Sequence, residues 1–330
     1  MSTAEVVVVA REPNVARRIL GEGVEVLQGD FRDVASLREA FRGVDVLYHI
    51  GARRDHWGLP RREYIDSNVL GTRNVLEAAE SASIPKIVYC SSVGVYGYDF
   101  QYLPVDEAHP FGTRLNYYHE SKRLAEEIVL SSKLPIITVR PGWIFGPNDE
   151  NGGVTQMLIK LARRRFAFVG KGRNRIHPVY IDDVVDGIIA AGRSEQYGEA
   201  FLLLGPEPLT FDEYVRAMCR ALGVSAPKLR IPYAIGQLSS YGLEPLWLAK
   251  NRILGKKLLG DKPPMTRDTL AGISADRFYD TSKAQRLLSH APSVGVDEGL
   301  VRTVEWLASI GRLPRGIPAR LSVKQPGRLP

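Results

Sequence analysis

Tyr118 and Lys122 stand four residues apart in Tyr118-His119-Glu120-Ser121-Lys122, and Ser92 precedes the tyrosine by 26 residues in Cys90-Ser91-Ser92-Val93-Gly94-Val95-Tyr96. On a helix that spacing puts the phenol and the ammonium on one face, about one turn apart. An ammonium there favours the phenolate and draws the tyrosine pKa down from its ordinary ~10 towards working pH. A hydroxyl at a neighbouring strand end would hold the substrate oxygen that the phenol protonates or deprotonates. These residue types suit acid–base chemistry at a carbonyl or an alcohol.

The spacing alone is generic, and Tyr279 and Lys283 repeat it. Context separates the two pairs. Tyr118 follows Lys86-Ile87-Val88-Tyr89-Cys90-Ser91-Ser92, an apolar run that ends in hydroxyls and reads as a buried parallel strand. Ligands bind outside the C-terminal edges of such strands. No strand of that kind precedes Tyr279, which reads as structural.

The elements that would position these groups alternate through the first half. Strands are expected at Glu5–Ala10, Val24–Gln28 and Val44–Ile50, then at the serine-bearing run and at Pro135–Arg140. Helices are expected at Asn14–Leu20, Val34–Phe41 and Tyr64–Ser81, then around Tyr118. This rhythm implies an α/β fold, a Rossmann-type doubly wound parallel sheet with helices on both faces. Residues 1–150 form the expected dinucleotide-binding domain, with 176–204 returning to it, and 151–175 and 205–310 a smaller, irregular substrate domain. Thr210-Phe211-Asp212-Glu213 is a capping box that opens a helix to Leu222.

Composition excludes several classes. A chain of 330 residues, 44% hydrophobic, buries a large core. The formal charge of +7 is concentrated in the tail: Gly311–Pro330 carries Arg312, Arg315, Arg320, Lys324 and Arg328 and no acid. That argues against a nucleic-acid partner and for a loose, solvated extension. Two cysteines, Cys90 and Cys219, fit a reducing, cytoplasmic setting, and the scattered histidines spell no metal site. The N-terminus shows no signal-peptide pattern, and no segment is long and apolar enough to span a bilayer. Pro245–Leu259 mixes Leu and Trp247 with Lys250, Arg252, Lys256 and Lys257; it reads first as a lid or substrate-domain helix, second as peripheral membrane contact.

Several motifs occur in order: Gly29-Asp30-Phe31-Arg32-Asp33, His49-Ile50-Gly51-Ala52, Asn68-Val69-Leu70-Gly71-Thr72, Ser91-Ser92 with Tyr96-Gly97, Tyr118 with Lys122, Arg140-Pro141-Gly142, and Tyr180-Ile181-Asp182-Asp183. With these the chain resembles the extended short-chain dehydrogenase/reductase superfamily, the NAD-dependent epimerase/dehydratase group. Asp55-His56-Trp57-Gly58, Pro263-Pro264-Met265-Thr266-Arg267, Tyr279-Asp280-Thr281-Ser282-Lys283 and Val296-Asp297-Glu298-Gly299-Leu300 are similar to its 3β-hydroxysteroid dehydrogenase-like branch.

The resemblance implies Tyr118 as general acid/base, Lys122 as its partner and ribose ligand, and Ser92, ahead of Ser91, as the group that polarises the substrate oxygen. It implies Asp30 and Phe31 beside the adenine, Gly51 and Ala52 where the cofactor approaches the backbone, and Pro141 beside the nicotinamide amide. Asn68 is expected to brace its helix. Family members that eliminate water place an Asp-Glu pair where this chain has Val93 and Gly94, so hydride transfer or epimerisation is expected and dehydration is not. The expected function is an NAD(P)-dependent interconversion of a secondary alcohol and a ketone on a hydrophobic, sterol-like or acyl-chain substrate. The alternatives are a nucleotide-sugar epimerase, with Arg163–Arg165, Arg173 and Arg175 as a diphosphate clamp, and a non-catalytic binding protein. A small-molecule substrate and a second copy of the chain are the expected partners.

The family begins with a strand, a glycine-rich turn and a helix that holds the pyrophosphate, whereas Val6–Ala10 here runs into Arg11-Glu12-Pro13. Arg11 lies 19 residues before Asp30, which matches Val6–Ala10 to the family's second strand. A leading unit of roughly 25 residues is then expected to be absent. A misplaced start or clipped chain, a slipped sheet with weak cofactor binding, and a decayed non-enzyme compete as explanations. Arg11 suits a 2′-phosphate, which favours NADP over NAD. The 330-residue chain is expected to bind nicotinamide nucleotides more weakly than micromolar; fluorescence titration with NADPH and NADH checks this, and micromolar binding would contradict it.

Overall fold

The computed structural model describes residues 4–21, 23–54, 57–254, 263, 265–314 and 316–317. The Asp55-His56 and Pro264 portions of the motifs, the Lys256-Lys257 pair and most of the basic tail (318–330) lie outside the described residues. The first half contains β1 (Val7–Ala10), α1 (Pro13–Leu20), β2 (Glu25–Gln28), α2 (Val34–Ala40), β3 (Leu47–His49), α3 (Arg61–Tyr64), α4 (Gly71–Ser81), β4 (Ile87–Cys90), α5 (Tyr117–Ser131) and β5 (Ile136–Pro141). There follow β6 (Trp143–Phe145), α6 (Gly153–Ala162), β7 (Phe168–Val169), β8 (Arg175–Ile176), β9 (Pro178–Tyr180), α7 (Ile181–Arg193) and β10 (Ala200–Leu203). The remainder is β11 (Leu209–Thr210), α8 (Phe211–Leu222), β12 (Arg230–Ile231), α9 (Tyr233–Leu254), α10 (Arg267–Ser274), α11 (Ser282–Leu288) and α12 (Val296–Ser309).

The chain divides into two compact units. One comprises Met1–Gly97, Phe111–Arg140 and Ile188–Phe201; the other Tyr98–Pro110, Pro141–Gly187 and Leu202–Pro330. The expected return of 176–204 thus narrows to Ile188–Phe201. The 98–110 segment belongs to the second unit because Val105 exchanges backbone bonds with Phe278 (2.7 Å) and Asp280 (2.9 Å), and Tyr98 bonds Asp268.

In the first unit, β3, β4 and β5 pair in parallel, and β10 joins beyond β5 in the order β10-β5-β4-β3. Ile87, Val88, Ile137 and Val139 are wholly buried, as strands covered on both faces require. Leu47, Ile87 and Tyr89 face the cluster built by α2, α4 and α5. The opposite face is met by α7, where a Cβ added to Gly192 would lie 2.0 Å from the Tyr48 hydroxyl. This is the Rossmann-like arrangement of parallel strands with flanking helices.

β1 and β2 form a separate parallel pair, Val7 to Ala10 against Glu25 to Gln28. Among the described residues neither strand of this pair bonds to β3, β4, β5 or β10. α2 packs on α4, Val9 and Leu27 lean on the cluster beneath, and Phe31 is wedged against Gly51, Gly71 and His49. Val6, just before β1, is 51% exposed and Ile50, just after β3, 52%, and α1 buries no side chain.

The expected helix Tyr64–Ser81 is interrupted. α3 and α4 are joined by one stretch of π-helix, Ile65–Leu70, which carries Asn68. Helical periodicity does not reveal such a bulge, and bulges of this kind recur at functional sites. The second unit is more regular than its prolines suggest. α8 carries the capping box in full, Thr210 and Glu213 each bonding the other's backbone. α8 packs on α12 around Phe145, Leu158, Tyr214, Met218, Leu300 and Val304.

Burial pushes the His49 imidazole down to about 3 and His177 to about 4. An exposed imidazole takes its proton near ~6.5, so below that pH the unfolded chain binds protons that the folded chain refuses. Stability is therefore full above that value and falls with pH, by about 1.4 kcal/mol per unit for each group over the upper part of the window. Urea midpoints at about pH 7 and about pH 5 check this, and His49→Asn flattens the slope; equal midpoints would contradict it.

Candidate active site

The site groups of the first unit gather at the C-terminal edges of β3 and β4 and the start of α5. β4 ends at Cys90, and the next two residues divide the work of the hydroxyl pair. Ser91 is buried, its amide bonded to the Val139 carbonyl (2.7 Å) and its hydroxyl donating to Glu126 Oε2. Ser92 is half-buried and caps a single 3-10 turn, Val93–Tyr96, where its Oγ accepts from the Gly94 amide at 3.0 Å. Ser92 is thus the hydroxyl left at the edge, while Ser91 is tied into the interior.

α5 starts at Asn116, whose side chain accepts from the His119 amide (2.8 Å), so Tyr118 sits in its first turn, half-buried. Lys122, one turn on, is 3% exposed; its Nζ donates to the Cys90 carbonyl at 2.7 Å and lies 4.7 Å over the Tyr89 ring. Burial pushes the Lys122 ammonium below its ordinary pKa. The bond fixes this face of α5 to the last residue of β4, and Ser92 is only two residues beyond that anchor. The 3-10 turn packs on α5 directly, with no room for a side chain at position 94: an added Cβ would lie 2.3 Å from His119 Cδ2. A carboxylate there would have to displace the His119 ring.

Behind these groups lies a buried polar network. Glu126, wholly buried, accepts two bonds from Arg140 at 2.8 and 2.6 Å as well as the Ser91 hydroxyl. Arg140 also donates to the Tyr96 hydroxyl, and its guanidinium stacks between Tyr96 (5.2 Å) and Phe111 (5.5 Å). A second brace runs through Asn68, which bonds the Arg53 backbone at 2.6 and 3.0 Å and Ser121 Oγ at 2.8 Å; that hydroxyl in turn donates to the Tyr118 carbonyl (2.7 Å). Glu126, Ser121 and Arg140 were not singled out from the sequence as site residues. The available signals were an acid four residues after Lys122 on the same helix face, and an arginine inside an otherwise apolar strand.

On the adenine side, Phe31 lies against Gly51 and Gly71, where an added Cβ would fall 3.3 and 2.3 Å from its ring. Arg32 clamps the Asp30 carboxylate at 2.6–3.1 Å and holds its pKa below the usual carboxylate range, with Arg11 a lesser contributor. Arg11, exposed just past β1, is therefore within electrostatic reach of Asp30. Ala52 follows Gly51 in the segment after β3, and Pro141 is the last residue of β5. Phe31, Asp30 and the glycines fit an adenosine, and Lys122, Tyr118 and Ser92 fit a nicotinamide riboside. The described residues do not build a glycine cradle for the pyrophosphate: β1 leads through Arg11 and the Glu12 carboxylate into α1, which has Pro13 in its first turn and no side-chain cap.

The remaining candidates have structural partners. Tyr279 is 4% exposed, its phenol pushed up to about 12 by burial, and it packs near Phe100 and His177. Arg175 is bound by Asp276 at 3.0 and 2.7 Å and stacks on Phe278, so its guanidinium is engaged within the chain. No group of His, Cys, Asp and Glu among the described residues could hold a metal ion.

Parallel strands with flanking helices thus carry a serine at a strand end and a Tyr–Lys pair on the adjoining helix. Residues 2–203 match the NAD dependent epimerase/dehydratase family, and the chain belongs to it. It is an enzyme of the extended short-chain dehydrogenase/reductase type, whose members are NAD-dependent dehydrogenases, reductases or epimerases. The chain is 30% identical to a 2-alkyl-3-oxoalkanoate reductase of Stenotrophomonas maltophilia, over 85% of this chain and 86% of that protein. It is 28% identical to the decarboxylating sterol-4-alpha-carboxylate 3-dehydrogenase of Mus musculus, over 86% and 79%. Its fold matches the UDP-glucuronic acid 4-epimerase of Bacillus cereus in complex with NAD, with a TM-score of 0.69 at 20% identity over 93% and 91% of the two chains.

Glu126→Ala leaves the Arg140 guanidinium buried without its counter-ion and is expected to cost about 3–5 kcal/mol of stability. Glu126→Gln, which keeps an acceptor, is expected to cost less. Urea unfolding of both variants measures this, and a loss below about 1 kcal/mol in Glu126→Ala would contradict it.

Proposed function

We propose that the chain catalyses NAD(P)-dependent interconversion of a secondary alcohol and a ketone on a hydrophobic substrate, acyl-chain or sterol-like. The observation that carries this reading is the Lys122–Cys90 carbonyl bond, which sets Tyr118, one turn before Lys122, beside the strand end that bears Ser92. The two curated relatives support the substrate class, since their names describe an alkyl oxoalkanoate and a sterol carboxylate. A nucleotide-sugar substrate is less supported, because Arg175 of the supposed diphosphate clamp is held by Asp276.

In reduction, Ser92 Oγ donates to the carbonyl oxygen and polarises it, and Tyr118 delivers its phenolic proton to the same oxygen as negative charge develops. In oxidation Tyr118 takes that proton back. Lys122, anchored on the Cys90 carbonyl, keeps positive charge one helical turn from the phenol and presents an ammonium to a ribose hydroxyl. A bound nicotinamide supplies or accepts the hydride. Elimination of water is outside this set: Val93 has no acid–base group and the His119 ring fills the space at Gly94. Arg11 supports NADP as the nucleotide, by pairing with a 2′-phosphate.

Tyr118→Phe is expected to lower kcat by about 10²–10⁴-fold with nucleotide raised to saturation, while the urea midpoint stays at the wild-type value. Steady-state assays with 3-oxoacyl, hydroxysteroid and UDP-sugar substrates make the test. Undiminished turnover in Tyr118→Phe would overturn the acid–base role, and turnover confined to UDP-sugars would overturn the substrate class.

A further inference from the structure

Of Ser92, Tyr118 and Lys122, only the lysine is taken out of water by the fold, at 3% exposure. Removal from water favours the neutral amine, because a buried cation forfeits its hydration. Burial accordingly pushes the Lys122 ammonium below its ordinary pKa. A neutral amine has no charge to lend the Tyr118 phenol, so the site depends on what holds the proton on Nζ. The Cys90 carbonyl supplies one acceptor, at 2.7 Å.

Several groups face that ammonium. Glu126, one turn further along α5, favours the cation, but Arg140 pairs with its carboxylate at 2.6 Å and offsets much of its field. Burial pushes the Cys90 thiol up, which leaves it uncharged. His49, at the end of β3, is pushed down to about 3 by burial and by the Lys122 charge, so it is neutral too. Tyr89, on β4, stands apart from these. Its ring centroid lies 4.7 Å from Nζ, and the residue is 1% exposed. The face of an aromatic ring attracts a cation within about 6 Å, most strongly where water is excluded. Burial raises the Tyr89 phenol well above its ordinary value, with the Glu126 charge adding to it, so the ring stays neutral. The hydroxyl lies near Thr72 without completing a hydrogen bond, so the ring is what the residue contributes here. The His49 ring, tied to Thr72 Oγ1 at 2.9 Å, lies 5.6 Å from the Tyr89 ring and steadies it. Tyr118 is within electrostatic reach of Tyr89 as well. We propose that Tyr89 is a positioning residue for charge: its ring face keeps Lys122 protonated inside the fold and thereby governs when the Tyr118 phenol releases its proton. The link to Tyr118 rests on the acid–base reading above; the hold of the ring on Lys122 does not.

NMR titration of the nucleotide-free full chain, with isotope-labelled lysine and tyrosine, tests it; spectra of Lys122→Met and Tyr118→Phe assign the two signals. In Tyr89→Leu, which fills the site without a ring face, the Lys122 midpoint is expected to fall by about one pH unit or more. The Tyr118 midpoint is expected to rise, since the proton then leaves the amine before the phenol. Tyr89→Phe keeps the face and is expected to keep both wild-type midpoints. Tyr89→trifluorophenylalanine keeps the ring's shape but drains its face of electron density, so it is expected to move both midpoints in the same directions as leucine. That variant decides the matter if Tyr89→Leu does not fold. In alcohol oxidation at saturating nucleotide, the ascending limb of the pH profile is expected to move up in Tyr89→Leu and to stay in place in Tyr89→Phe. Lys122 midpoints equal in the wild-type, leucine and fluorinated chains overturn the proposal, and so does a Tyr118 midpoint that does not follow a shifted Lys122. The Lys122 titration needs no turnover. A wild-type chain inactive on every alcohol and ketone would sink the reaction proposed above, while a shifted Lys122 midpoint in Tyr89→Leu would still support the hold of Tyr89.

Discussion

The first unit's active-site geometry depends on the buried pair Glu126–Arg140. One carboxylate on α5 meets an arginine on β5, a serine hydroxyl at the end of β4 and, through the arginine, the phenol of Tyr96 at the end of the 3-10 turn. Two charges removed from water at 0% and 4% exposure gain little net stability over a well-packed apolar pair. Their value here is positional. Each bond joins a different element, so the end of β4, the turn carrying Ser92 and the helix carrying Tyr118 and Lys122 are fixed to one another. Lys122 on the Cys90 carbonyl and Asn68 on Ser121 then set the rotation of α5 against that frame.

The same packing limits the chemistry. A side chain at Gly94 would begin where the His119 ring stands. On the proposed reading the site uses one hydroxyl, one phenol and one ammonium, with Val93 and Gly94 where a dehydration would employ carboxylates. Placing the acid–base groups in the first turns of α5, beside a strand terminus, gives them rigid supports and leaves the substrate surface to other segments.

Much of the fold was legible because the parallel strands are short apolar runs, and the capping box at Thr210 marks the start of α8. Spacing joined to context singled out Tyr118, Lys122 and Ser92, and the structure has Lys122 bonded to the end of the strand that precedes Ser92. What was not legible depends on contacts between distant segments. The π-helix at Ile65–Leu70 interrupts a stretch whose periodicity reads as one helix, and Glu126 reads as a solvated helix acid until Arg140 is placed beside it. α9 differs from expectation in its start: a helix was expected from Pro245, and it runs from Tyr233 with Pro245 inside it. β1 and β2 form a sheet of their own, separate from the sheet of β3, β4, β5 and β10.

Amide hydrogen exchange in Glu126→Gln, compared with the wild-type chain, tests the positional role of the buried pair most directly. The expected result is that Ser91–Tyr96 and Tyr117–Lys122 lose protection together, while β1 and β2, which do not touch the network, exchange at wild-type rates. Unchanged protection in both site segments, or a uniform loss across the first unit, would contradict it.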